Sequence, residues 1–403
     1  HHEHRRQRQM CIRDRAVLAA GLNFSAASGA DGRLYAWGCG AKGQLGAANP
    51  PRRSSWAKMG SPPTTYTANA QRRSGAMTER DEAGGDKSGD APTPREVVVV
   101  GLTSHIAASE QRASAAGSGR GKPGGVMLLA AASEFALAVD CAGAVWAWGN
   151  GKHGELGSGS VGLSGTPRLV RALSTKRIAA IAAGGRHCVA VSASGELYTW
   201  GDGRCGQLGH SDTQSRLSPT PVVLLHGRQF SVAACGLEHT VVVSTGGTAF
   251  AFGTTRNGRL GIGNDAPQTG RQARPRAVSS TATGRGATEP ARITAAACGD
   301  AHTLLLTESG RLLACGRGDR GALGLGHPMD AWTPQPVPSL DGVTLRHLAA
   351  GSDFSLALSA RADGSKAEVY AFGGNSHGQL GLGHTDGPVL VPQLVTRLAD
   401  HSI

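Results

Sequence analysis

The sequence predicts an all-β fold, a β-propeller with six recognisable repeats, and three observations carry that prediction. The stretch GGRHCVAVSASGELYTWGDGRCGQLG at 184–209 recurs in six variants along 403 residues. In every copy a Gly follows the position held by Trp37, Trp148, Trp200, Phe252, Cys315 or Phe372, and it stands five residues before a closing G-x-L-G. The apolar runs between these marks are four to five residues long and separated by turn residues, which suits strands rather than helices. Small sheets repeating every 52 residues or so close most simply as a ring, since radial repetition leaves only short, protected edges.

Taken in order, residues 1–16 are charged, lack a following apolar segment and carry no repeat character, so they read as a non-native or disordered start. The propeller domain spans 17–403. In the first unit Asp31-Gly32 gives a turn and Leu34–Trp37 a short strand. Residues 47–92, rich in Pro, Ser, Gly and Arg, read as a disordered surface insertion. Thr93-Pro94-Arg95 then restores the unit tail, as Thr166-Pro167-Arg168 does in the second unit. A second insertion is expected at 107–125, and a third, Arg- and Thr-rich, at 267–290. The fifth unit starts near Ala295 and the sixth near Leu348, with a lengthening around Arg361–Glu368. The chain then ends on a unit tail.

Gly is abundant at 60 residues, but its fixed offsets make that bias architectural. No apolar run approaches the ~18–20 residues that span a bilayer, so no membrane association is expected. The eight cysteines form no C-x-x-C pair. Cys235 and Cys298 share an A-x-C-G frame and Cys315 takes the Trp position, so they read as reduced thiols used as small apolar residues. That usage predicts an intracellular protein of cytoplasm or nucleus. Net charge is +12, and the insertions are basic: eleven Lys+Arg against seven Asp+Glu over 47–128, and four Arg against Glu289 over 267–290. Two readings of these loops stay open. They solubilise the surface, or they make weak, non-specific contact with nucleic-acid phosphates or an acidic histone-type patch. With only Trp56 and Tyr66 for stacking in the long insertion, sequence-specific nucleic-acid reading is not expected.

Several motifs resemble chemistry and resolve into architecture. Literal G-x-G-x-x-G occurs at Gly38, Gly149, Gly201 and Gly316, yet no helix-period run follows any copy, as a dinucleotide site requires. In GSGRGKPGG the glycine spacing is one short, and Pro123 stands where a phosphate loop needs Ser or Thr. His187, His239 and His302 share one repeat position, but Phe24, Phe135 and Phe354 fill it elsewhere, so it reads as a packing position rather than a metal ring. No catalytic, cofactor-binding or metal-binding residue is assigned, and no cofactor or small-molecule substrate is expected.

The pattern H-[ST]-x-x-L, then G-x-[LV]-[YF]-x-[WF]-G-x-G-x-x-G-Q-L-G, resembles the regulator of chromosome condensation repeat over roughly three quarters of the chain. Rings of that family usually hold about seven blades, so six units imply either a partial chain or an atypical ring. The resemblance implies a non-catalytic protein–protein interaction scaffold. The alternative it implies is guanine-nucleotide exchange on a small Ran-type GTPase, with chromatin or nucleosome binding. That activity needs an acidic loop surface and a β-wedge that do not align onto this chain, so no exchange residue is carried over. The family also includes a plant UV-B photoreceptor that senses through Trp in G-W-R-H-[ST] motifs. The matching positions here read GGRHC, GLEHT, GDAHT and GSDFS, without Trp, which excludes that function.

Overall fold

The computed structural model describes residues 17–20, 24–28, 34–38, 126–263, 270–279, 291–360 and 367–398. Blade one contributes β1 (Val17–Ala20), β2 (Phe24–Ser28) and β3 (Leu34–Gly38). Blade two holds β4 (Val126–Ala131), β5 (Phe135–Asp140), β6 (Val145–Gly151) and β7 (Gly162–Leu169). Blade three holds β8 (Ile178–Ala183), β9 (His187–Ser192), β10 (Leu197–Gly201) and β11 (Arg216–Pro221). Blade four follows with β12 (Phe230–Cys235), β13 (His239–Ser244), β14 (Ala249–Thr254) and β15 (Arg271–Ala277). Blade five is β16 (Ile293–Cys298), β17 (His302–Thr307), β18 (Leu312–Gly316) and β19 (Ala331–Pro336). Blade six is β20 (Leu345–Ala350), β21 (Phe354–Ser359), β22 (Val369–Gly373) and β23 (Val389–Leu394).

Each sheet runs antiparallel in chain order, and the first strand of each blade touches the first strand of the next, from β1 through to β20. The all-β propeller is therefore the observed architecture. Second strands such as HCVAVS in β9 are buried on both faces, which explains why they read as apolar runs rather than as clean alternation. Trp148, Trp200, Phe252, Cys315 and Phe372 are fully buried between blades. Trp200 shows how the seam is tied, because its indole Nε1 donates 2.8 Å to the Glu155 carbonyl of the preceding blade. The Gly after it is forced by the backbone. Gly201 has φ +99°, and a Cβ there would lie 2.6 Å from the Arg186 carbonyl.

One expectation needs correcting. The third insertion, 267–290, is not wholly irregular, because Arg271–Ala277 forms β15 and pairs with β14 from Phe250↔Ala277 to Thr254↔Arg271. It hides its strand character because an outer strand has one open edge. Gln272 is buried while Arg271 and Arg274 face solvent, and Pro275 needs no partner for a missing N–H there. Residues 267–269 and 280–290 lie outside the described residues, as do 1–16, the insertions 47–92 and 107–125, the tail at 93–95 and the lengthened turn at 361–366.

Candidate functional site

The three in-register histidines form a seam rather than a site. His187, His239 and His302 are buried at the starts of their strands. Their Nε2 atoms lie 2.8, 3.0 and 2.9 Å from Thr240 Oγ1, Thr303 Oγ1 and Ser355 Oγ of the next blade. Those hydroxyls give their single proton to the carbonyls of Gln207 (2.8 Å), Arg259 (2.7 Å) and Ala322 (2.7 Å). The histidines must therefore donate, which assigns the neutral tautomer with its proton on Nε2. Nδ1 of His187 and of His239 has no hydrogen-bond partner among the described residues. Burial holds His187 and His302 at a pKa of about 4, and His239 well below the ordinary value. The opening glycine makes room for the ring, since a Cβ on Gly236 would stand 2.1 Å from His239 Cε1.

The packing reading of this position holds, with a coupling that the repeat alignment alone did not show. Where blade two has Phe135, the facing residue of blade three is Cys188, in the same apolar cluster. Histidine goes with a hydroxyl in the next blade, and Phe135 with a thiol. The cysteines behave as fillers too. Cys188 and Cys315 are buried, and Cys235 and Cys298 half-buried, with burial raising their thiol pKa values, that of Cys298 to about 12. The G-x-G-x-x-G segments are turns. In blade three Gly206 N–H bonds to Gly203 O at 2.8 Å, and Gln207 Oε1 accepts from Cys205 N–H at 2.8 Å.

The loops that follow first and third strands converge on one face. They are stitched together by Asp202 N–H to Arg186 O (2.8 Å), Thr254 N–H to Glu238 O (3.0 Å) and Arg317 N–H to Ala301 O (2.9 Å). A cleft of about 760 Å³ opens on this face across blades two, three and four. Its walls carry Glu134, Lys152, Glu155, Arg186, Asp202, Arg204, Leu237, Glu238 and Arg271. Arg204 holds Asp202 through three contacts, Nε to Oδ1 at 2.9 Å and to Oδ2 at 3.1 Å, and Nη2 to Oδ2 at 2.7 Å. Burial pushes the Asp202 carboxyl up, but the hydrogen bonds from Arg204 outweigh it and leave the pKa below the ordinary value. Glu155 is buried, and burial raises its pKa against the opposing hydrogen bond from His153 N–H at 2.7 Å. Asn150 Nδ2 donates to Glu134 Oε2. Lys152 and Arg186 are exposed with no side-chain partner among the described residues, and Leu237 is 41% exposed beside them. The cleft thus offers alternating fixed charge and one apolar contact on rigid turns, which is what docking a protein surface requires.

Sequence reasoning placed its functional lead in the basic insertions and missed this cleft. The signal lay in the positions where the repeats disagree. The residue after the Trp-Gly pair is Asn150, Asp202, Thr254, Arg317 or Gly374, and the one before the His/Phe position is Glu134, Arg186, Glu238, Ala301 or Asp353. The positions that hold Trp in the photoreceptor motif are Gly185, Leu237, Asp300 and Ser352, in the same first loops.

Seam and loop face together define a repeat propeller, with recurring packing positions inside and blade-specific loops on one face. Residues 95–403 match the profile described as "RCC1-like domain", and residues 17–44 and 31–64 match "Regulator of chromosome condensation (RCC1) repeat". The chain belongs to the regulator of chromosome condensation repeat family. It is 34% identical over 335 residues to the human E3 ubiquitin-protein ligase HERC2, covering 79% of this chain and 6% of that protein. It is 32% identical over 282 residues to the Arabidopsis thaliana Ultraviolet-B receptor UVR8, covering 70% of this chain and 60% of the receptor. In fold it is similar to Prp20p of Saccharomyces cerevisiae, described with its binding to Gsp1p and histones. That likeness has a TM-score of 0.69 at 20% identity and covers 96% of this chain and 78% of the other.

Proposed function

We propose that the chain is a non-catalytic interaction scaffold that docks a protein partner in the loop-face cleft of blades two to four. The observation that carries this reading is the contrast between a seam of repeated contacts and a cleft whose lining differs from blade to blade, with Lys152, Arg186 and Leu237 presented to solvent. Charge set on rigid turns suits steering and register, because little ordering is needed on binding. The buried thiols fit a reducing compartment, so cytoplasm or nucleus is the proposed location.

The second reading is nucleotide exchange on a small Ran-type GTPase with nucleosome contact. Family membership and the partners named for Prp20p favour it. One experiment separates the two. Catalytic amounts of the protein are added to a Ran-type GTPase loaded with fluorescent GDP, and a photo-crosslinker is placed at Arg186 or at Arg171 on the opposite face. The scaffold reading expects unchanged nucleotide release and a partner cross-linked from Arg186 alone. Accelerated release hands the function to the second reading, and cross-linking from Arg171 alone moves the docking surface to the other face.

A further inference from the structure

The turn that closes blade four departs from those of blades two, three and six. In blades three and six the variable residue of G-x-L-G is Gln207 or Gln379, whose Oε1 accepts the N–H two residues earlier at 2.8 and 2.9 Å. Glu155 does the same in blade two. Arg259 stands at this position in blade four and has no acceptor to offer. The turn is rebuilt around Asn257, which has φ +59° and is one of two left-handed non-glycine residues among the described residues.

Arg259 is only 7% exposed. Its Nε donates to Arg256 O (3.0 Å), Nη1 to Asp300 O (3.0 Å) and Nη2 to Asn257 Oδ1 (3.3 Å). All three acceptors are neutral, and two of the five guanidinium N–H groups have no acceptor among the described residues. More positive charge surrounds it. Arg256 is in the same turn, and Arg317 is rooted through its N–H on Ala301 O, next to the Asp300 carbonyl that Arg259 holds. Burial first, then the Arg256 and Arg317 charges, lower the Arg259 pKa, with Glu238 and Asp300 opposing from a distance. Buried charge is ordinarily paired at hydrogen-bond distance, and this guanidinium is not.

We propose that Arg259, flanked by Arg256 and Arg317, forms an oxyanion pocket on the loop face between blades four and five, and that it takes a carboxylate side chain from a protein partner. The surroundings favour a single carboxylate over a phosphate chain. Glu238 and Asp300 lie near Arg259, Asp319 pairs with Arg317, and Asp330 is held by Gly318 N–H and Asn257 Nδ2, so a continuous polyanion meets repulsion on every side. The planar guanidinium matches carboxylate geometry. The pocket deepens the scaffold reading and rests on it, naming one group that the partner must present.

The test is fluorescence titration of the purified chain with a labelled Gly/Ser peptide that carries one glutamate. Arg259→Gln installs the residue that blades three and six use, so it should fold with an unchanged or raised melting temperature. It should weaken binding of that peptide about tenfold, the scale of a charge-assisted contact. Arg259→Lys, which keeps the charge without the fork, should lose part of the affinity, and Arg171→Gln on the opposite face none. The proposal is overturned if the parent does not bind the peptide, if Arg259→Gln binds it equally well, if Arg171→Gln weakens it equally, or if duplex DNA or a phosphopeptide takes the pocket more tightly. Peptide binding needs no cellular partner. Intact peptide binding with no cross-linked partner at Arg186 sinks the scaffold reading alone, and the converse sinks the pocket alone.

Discussion

Three blade junctions make the same contact. His187, His239 and His302 each donate to a hydroxyl of the following blade, and each hydroxyl passes its proton to a carbonyl in a closing turn. The loop face of those same blades shows no such agreement, with Asp202, Thr254 and Arg317 at one equivalent position and Arg186, Glu238 and Ala301 at another. The junction repeats because every blade must solve the same packing problem against its neighbour. On the scaffold reading, the loops differ because a partner touches only some of them. Repetition marks what holds the ring together, and departures from it mark what the ring presents.

Substitutions at repeated positions should therefore damage stability, and the largest effect is expected at Gly201. Valine there meets both a left-handed backbone and the Arg186 carbonyl 2.6 Å from its Cβ, so Gly201→Val should cost several kcal/mol, by order of magnitude about 3 or more. Chemical denaturation reads this directly, and a parental midpoint would contradict it. Next comes Thr240→Val, which strands the His187 Nε2–H and the Gln207 carbonyl in the interior and should cost about 2 kcal/mol. The double substitution His187→Phe with Thr240→Cys copies the Phe135/Cys188 pair and should recover part of that loss. If it is no better than His187→Phe alone, the coupling between blades is wrong.

Acid should act on the same seam, with an effect per residue that is smaller in the first pH unit below the unfolded pKa and grows as the pH falls further. An unfolded histidine titrates near pH ~6.5, whereas buried His187 and His302 stay neutral down to about 4. Between those values the unfolded state binds more protons, so stability is complete above ~6.5 and falls as pH drops toward 4. The slope is about 1.4 kcal/mol per pH unit for each histidine. Denaturation midpoints at neutral and mildly acidic pH would show it, and the Phe/Cys double variant should flatten the slope. A pH-independent midpoint would mean that the histidines are not neutral donors.

Legibility in the sequence followed the same division. The blade count, the Trp-type positions and the turn glycines were readable because they recur at fixed offsets. The hydroxyl that answers His187 was not, because Thr240 lies 53 residues on and its partnership appears only when blades stand side by side. Strand β15 was obscured by Arg271, Arg274, Arg276 and Pro275, residues an outer edge tolerates and an inner strand does not. The cleft was invisible for a further reason. Alignment of repeats discards the positions that vary, and Lys152, Arg186, Leu237 and Glu238 are such positions. Arg259 was lost the same way, as a deviation from Gln in a motif read for its agreement.

The smallest stability effect is expected on the loop face, and it carries the most direct test. Lys152→Glu combined with Arg186→Glu reverses two exposed charges that no other side chain holds among the described residues. The melting temperature should stay within about 2 °C of the parent, while the partner identified by cross-linking at position 186 should no longer co-precipitate with the variant. Unchanged co-precipitation, or a collapse in melting temperature, would contradict the separation of a stabilising seam from a binding face.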